Sequence, residues 1–138
     1  MLQPKKRKYT KEFRGSLNGI ALRGSEVAYG DFGLQSLERG WLHAREIESA
    51  RKAMVNFTAR KGKIWIKIFP HKPVTKKSDE VVRGGGKGPV DHFIAVVKPG
   101  LVLFEIGGLP EATCKDALER AARKLSLKTR VINKHLTF

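Results

Sequence analysis

With a single cysteine, Cys114, the chain cannot close an internal disulfide, and its four histidines are scattered without ligand spacing. Neither a disulfide framework nor a Cys/His metal site is therefore expected, and a reducing compartment fits this usage. No apolar run approaches the ~20 residues needed to span a bilayer, and neither helix expected below is a basic amphipathic one with bulky apolar anchors, so no membrane partner is expected. The cations Lys5, Lys6, Arg7 and Lys8 are followed by no apolar stretch, which argues against a secretory signal. Acidic residues are scarce too: 13 Asp plus Glu stand against 28 Lys plus Arg, a net charge of +15. That excess is well beyond the needs of solubility and implies a polyanionic partner, with nucleic acid favoured over an acidic membrane surface.

What is present suffices for one folded domain. The 138 residues are 41% hydrophobic, an ordinary share, so the charge does not displace a core and wholesale disorder is a poor reading. Residues 1–18 carry Lys5, Lys6, Arg7, Lys8, Lys11 and Arg14 against Glu12 alone, without apolar periodicity, and read as an extended basic arm. Residues 19–138 read as one α+β domain. Between residues 20 and 37, short apolar segments alternate with Gly24, Gly30 and Gly33, suggesting strands interrupted by bends or bulges.

Ile47, Ala50, Met54 and Phe57 recur at steps of three and four, which predicts a helix over 44–61 with Gly62 as its C-terminal cap. His43 is the expected N-cap, and Glu46 three residues on supplies the second half of a capping box. Arg45, Arg51, Lys52, Arg60 and Lys61 fall on the opposite face or at the helix end. Residues 63–69 alternate strictly, Ile64, Ile66 and Ile68 against Trp65, Lys67 and Phe69, the period-two pattern of a strand that Pro70 and Pro73 should end. From Arg60 to Ser78 there are seven Lys or Arg and no acid. Residues 70–90 then read as a long loop holding Lys72, Lys76, Lys77 and the run Arg83-Gly84-Gly85-Gly86-Lys87-Gly88-Pro89. The runs 92–98 and 101–106, joined by Pro99-Gly100, predict an antiparallel hairpin over a type II turn. Pro110 and Glu111 mark a second helix with a core stripe at Ala117, Leu118, Ala121, Ala122 and Leu125. Its ion pairs are expected from Asp116 to Arg120 and from Glu119 to Arg123, and residues 128–136 can return as a last strand.

The glycine-rich run could cradle an anion on bare backbone N–H groups, with Lys87 assisting, or it could be a flexible linker. As a nucleotide-binding motif it fails. A Walker A sequence needs glycine where Val81 stands and Ser or Thr where Gly88 stands, and a dinucleotide fingerprint needs glycine where Pro89 stands. Cys114 lies among apolar helix positions and reads as a small core residue, and Asp79-Glu80 as a local charge balance. No acid, base and nucleophile converge, so the chain is not expected to be an enzyme and no cofactor, metal or small-molecule substrate is expected. Trp65, Phe69 and Lys67 could form an aromatic and basic platform for stacked bases, or the aromatics could be core.

Several long motifs, Met1-Leu2-Gln3-Pro4-Lys5, Phe32-Gly33-Leu34, Ile47-Glu48-Ser49-Ala50-Arg51, Gly62-Lys63-Ile64-Trp65-Ile66-Lys67-Ile68-Phe69-Pro70, Gly86-Lys87-Gly88 and Lys124-Leu125, span the chain. Through them the sequence resembles bacterial and organellar ribosomal protein L sixteen of the large subunit. The resemblance implies an α+β fold with a mainly antiparallel sheet and two helices, a basic N-terminal extension and a long glycine-rich loop, and no catalytic residues. It implies binding to large-subunit rRNA near the aminoacyl-tRNA site, contact with tRNA and with neighbouring ribosomal proteins, and a place on the ribosome of a bacterial cytoplasm or of a mitochondrion or plastid. The RNA-binding residues are expected to be Lys5, Lys6, Arg7, Lys8, Lys11 and Arg14 of the arm, Arg45, Arg51, Lys52, Arg60, Lys61 and Lys63 around the first helix, and Lys72, Lys76, Lys77, Arg83, Gly84, Gly85, Gly86, Lys87 and Gly88 of the loop. A non-ribosomal RNA regulator or RNA chaperone is the alternative. The chain departs from the family's usual Arg-Met-Gly before Gly-Lys-Gly in having Arg83-Gly84-Gly85-Gly86-Lys87-Gly88, and His43 stands where a hydroxyl cap is common. The latter change should weaken the helix cap by about 1 kcal/mol unless Glu46 or RNA compensates.

Overall fold

The computed structural model describes residues 2–78 and 84–134; Asp79, Glu80, Arg83 and Leu136 of the readings above lie outside them. In chain order the elements are β1 (Phe32–Ser36), β2 (Gly40–His43), α1 (Ala44–Thr58), β3 (Lys63–Ile66), β4 (Lys72–Thr75), β5 (Val90–Val97), β6 (Val102–Gly107), α2 (Glu111–Ala122) and β7 (Thr129–Asn133). The strands form a four-stranded sheet in the order β3-β6-β1-β7 and a three-stranded sheet in the order β2-β5-β4. Every pairing is antiparallel, so the expected α+β architecture with a mainly antiparallel sheet and two helices is what the chain adopts.

The 3.6-residue periodicity of both helices works as the sequence suggests: Ile47, Ala50 and Met54 of α1 and Cys114, Ala117, Leu118 and Ala121 of α2 are fully buried in one cluster with Leu34, Phe104 and Ile106 of the sheet. Phe57 is only partly buried at the edge of that cluster. At the start of α1, Glu46 makes its half of the capping box, its Oε2 accepting the His43 N–H at 2.8 Å. Its other oxygen accepts the Ser126 N–H at 3.1 Å, so the same carboxylate ties α1 to the segment after α2.

Three local expectations are corrected. The helix stops at Thr58, short of the expected 61, and its cap is Ala59 in the left-handed region rather than Gly62. The stretch 70–90 is not all loop, because residues 72–75 form β4, paired with β5 from Lys72↔Ile94 to Thr75↔Val90. Pro73 lacks an N–H and reads as a strand breaker, yet β4 is the edge of its sheet, where a missing donor costs no ladder bond. The turn at Pro99-Gly100 does form, with Leu101 N–H donating to the Lys98 carbonyl at 3.2 Å, but it does not make a hairpin. β5 pairs with β2 and β4 while β6 pairs with β1 and β3, so the turn carries the chain from one sheet to the other.

Residues 20–31 contain no regular strand; only β1 is realised from the interrupted pattern read over 20–37. That segment is nonetheless tied down, with Ala21 N–H on the Pro99 carbonyl at 2.9 Å and Val102 N–H on the Gly24 carbonyl at 2.7 Å. Among the described residues no helix is long and apolar enough to cross a membrane.

Candidate nucleic-acid interface

The end of α1 sets the first cluster of cations. Thr58 Oγ1 donates back to the Met54 carbonyl at 3.0 Å, and the chain then turns through two successive non-glycine residues with positive φ, Ala59 at 53° and Arg60 at 64°. Such conformations cost an L residue roughly 1–2 kcal/mol each, so the surrounding structure must hold them. The holding bonds are Arg60 N–H to the Val55 carbonyl at 3.1 Å and Lys61 N–H to the Thr58 carbonyl at 3.0 Å. The bend brings exposed Arg60, Lys61 and Lys63 to one groove of about 300 Å³ with Arg51, floored by Val55, Ile64 and Ile66. Arg51 is engaged by Glu48 at 2.5 Å, and this contact holds the Glu48 carboxyl below its ordinary value and the guanidinium above its own.

About 100° further around the helix, Lys52 faces a larger groove of about 660 Å³ between α1 and α2, lined also by Ser49, Ala53, Asn56, Phe57, Arg120, Arg123 and Lys124. Among the described residues, four cations line it and no carboxylate does. The first two of the α2 cations were read from sequence as ion-pair partners and Lys124 only as part of a family motif, yet the Asp116–Arg120 and Glu119–Arg123 pairs do not form. The (i, i+4) pair of α2 is Glu111–Lys115 at 3.0 Å, and the Arg120 guanidinium instead lies 4.4 Å from the centre of the Phe57 ring. A signal for these residues was available: positions 120, 123 and 124 are spaced i, i+3, i+4, the spacing of one helical face.

The third cluster joins the arm to the glycine-rich loop. Arg7 donates to the His71 carbonyl and pairs with Glu12, Lys72 donates to the Arg14 carbonyl, and Lys87 donates to the Glu12 carbonyl. Lys11 returns a bond to the Lys87 carbonyl at 3.1 Å, and Lys77 donates to the Gly84 carbonyl at 2.8 Å. The arm thus lies along β4 and the loop. Lys5, Lys6, Lys8, Lys11 and Arg14 stay exposed on it, while Lys72 is buried with its ammonium 5.3 Å from the Trp41 ring. Gly84, Gly85 and Gly86 take φ of 92°, 76° and 106° with no described residue within 4 Å of a would-be Cβ, so backbone conformation demands glycine there. Gly88 is buried against Lys77, and Arg83 lies outside the described residues. Arg45 and Lys76 are set apart from these clusters, lining a groove with His43, Asp91, His92 and Phe93.

A family model described as Ribosomal protein L16p/L10e matches residues 4–132. The chain belongs to the ribosomal protein L16p/L10e family. It is therefore a ribosomal protein of the large subunit, as the motifs suggested. The matched span runs from the arm through both helices into β7, so all three clusters of cations lie inside the part of the chain that carries the L16p/L10e pattern. Cys114, by contrast, is the small buried core residue that its sequence position suggested: burial pushes its thiol above the usual value, the Asp31 charge adds to this, and a backbone hydrogen bond with Leu109 opposes it.

Proposed function

We propose that this large-subunit protein binds ribosomal RNA through the two grooves beside α1 and through its arm, and that the glycine-rich loop approaches tRNA near the aminoacyl-tRNA site. The observation that carries this reading is the α1/α2 groove, where Lys52, Arg120, Arg123 and Lys124 converge with no carboxylate in the lining. Cations that line one groove without a carboxylate gain most from a chain of phosphates, whose binding releases condensed counterions. Ser49 and Asn56 add neutral hydrogen-bonding groups to the same walls. In this reading Lys72 positions the arm rather than touching phosphate, because its ammonium is spent on the Arg14 carbonyl.

The test is salt dependence. Purified protein should bind a large-subunit rRNA fragment with a log–log salt slope of several units, about −0.7 to −0.9 for each phosphate neutralised, and a slope near zero would sink the reading. Stable sedimentation with large subunits through a high-salt wash separates it from a free RNA regulator or chaperone, which would be released. For the tRNA half, removing Gly84, Gly85 and Gly86 should leave the fold intact, since these residues are exposed, and slow tRNA-dependent steps of translation. Unfolding of the deletion variant would show the loop to be structural instead.

A further inference from the structure

The strand alternation placed Trp65, Lys67 and Phe69 on one face, but β3 ends at Ile66 and the residue that joins Trp65 and Lys67 is Tyr29, from the irregular segment before β1. Its ring lies 6.2 Å from that of Trp65 at an interplanar angle of 22°, and Lys67 Nζ sits 4.0 Å from its centroid. What fixes Tyr29 is a carboxylate. Glu105, fully buried in β6, accepts three consecutive N–H bonds on its Oε1, from Ala28 at 3.0 Å, Tyr29 at 2.7 Å and Gly30 at 2.9 Å. Its Oε2 has no hydrogen-bond partner among the described residues and lies 3.7 Å from Lys67 Nζ. The segment passes so close over β6 that a Cβ on Gly30 would stand 2.7 Å from the Ile106 carbonyl oxygen.

The Tyr29 ring thus meets both Trp65 and Lys67 while 63% of the residue stays exposed. An exposed tyrosine is ordinary; one anchored through its own backbone N–H to a buried carboxylate has already lost the freedom that a ligand would otherwise have to remove. Lys63 is exposed and lies two residues before Trp65, on the same strand face, so cations bracket the rings along β3. The nearby Asp31 carboxylate is occupied by the Gly108 N–H at 3.2 Å.

We propose that Tyr29, backed by Trp65 and Lys67, is the seat for one unpaired base of a single-stranded or looped RNA segment, with Lys63 and Lys67 beside the flanking phosphates. The proposal rests on the RNA-binding reading and adds a base contact to it. A flat π surface with neighbouring cations fits a nucleobase on a phosphodiester chain better than it fits a plain anion, because every base offers a π face.

The full chain is titrated, at fixed salt, with an unstructured oligoribonucleotide and with a fully abasic strand carrying the same number of phosphates. The intact strand should bind more tightly, and Tyr29→Ala should weaken its binding roughly 5- to 100-fold while leaving abasic binding and the salt slope unchanged. Tyr29→Phe should retain the preference. If Tyr29→Ala leaves the preference for the intact strand unaltered, or if the wild-type chain shows none while keeping a steep salt slope, the seat is wrong and the RNA reading survives. A flat salt slope for both strands fells the RNA reading and the seat together. Polyglutamate that binds as tightly as the intact strand, and is weakened equally by Tyr29→Ala, would assign the surface to an acidic protein and overturn the seat.

Discussion

Glu105 shows how much one polar residue can organise. It stands at the centre of a strand all six of whose residues are buried, and its Oε1 is the common acceptor for the N–H groups of residues 28–30. Glu105→Ala should leave these donors without a partner and cost on the order of 3 kcal/mol of stability, read by chemical denaturation. Glu105→Gln, which keeps an acceptor oxygen, should cost less. Cys114 gives a prediction in pH. Its thiol is held above the usual value of 9.0 mainly by burial, so its contribution to stability is fully present below that value and is lost as pH rises through it towards the higher folded-state value. Cys114→Ala should flatten the alkaline limb of a stability–pH curve, and the wild-type thiol should react with a maleimide at neutral pH only as the chain unfolds.

At the scale of elements, the end of α1 stores strain that glycine would relieve. Ala59 holds φ at 53° in the cap position, and Ala59→Gly should stabilise the domain by about 1 kcal/mol, seen as a raised denaturation midpoint with an unchanged slope. Destabilisation would mean that the left-handed assignment is wrong. The same region marks the limit of periodicity as a guide. Ile47, Ala50 and Met54 identify the buried face because a helix repeats every 3.6 residues, but the exit of the chain depends on Thr58 turning back to Met54 and on Arg60 reaching Val55, bonds with no pattern in the sequence. β4 was hidden for a related reason, since Pro73 is acceptable only because a strand there is an edge.

For the whole molecule, charge is legible in composition and its focus is not. A net +15 implies a polyanion, whereas the pairing of α1 with α2 decides that Lys52 shares a groove with Arg120, Arg123 and Lys124. Changing Arg120, Arg123 and Lys124 together to Gln should preserve the circular dichroism spectrum, because all three are exposed, and should lower the salt slope for rRNA binding by roughly 2 to 3 units. An unchanged slope would remove this groove from the interface.

The sequence by itself determined the two amphipathic helices, the β3 alternation, the glycines of the loop and the family, because each is written in local spacing or in contiguous motifs. It also put Arg60 and Lys61 together at one helix end, while the fold decided that Arg51 and Lys63 share a groove with them. Tertiary structure alone decided that the Pro99-Gly100 turn crosses between sheets, that the arm docks along β4, and that Tyr29 rather than Phe69 meets Trp65. The physical reason is shared: each is a contact between residues distant in the chain, selected by which buried groups find a partner, and a carboxylate such as Glu105 chooses its three amides some 75 residues away only once the sheet is built.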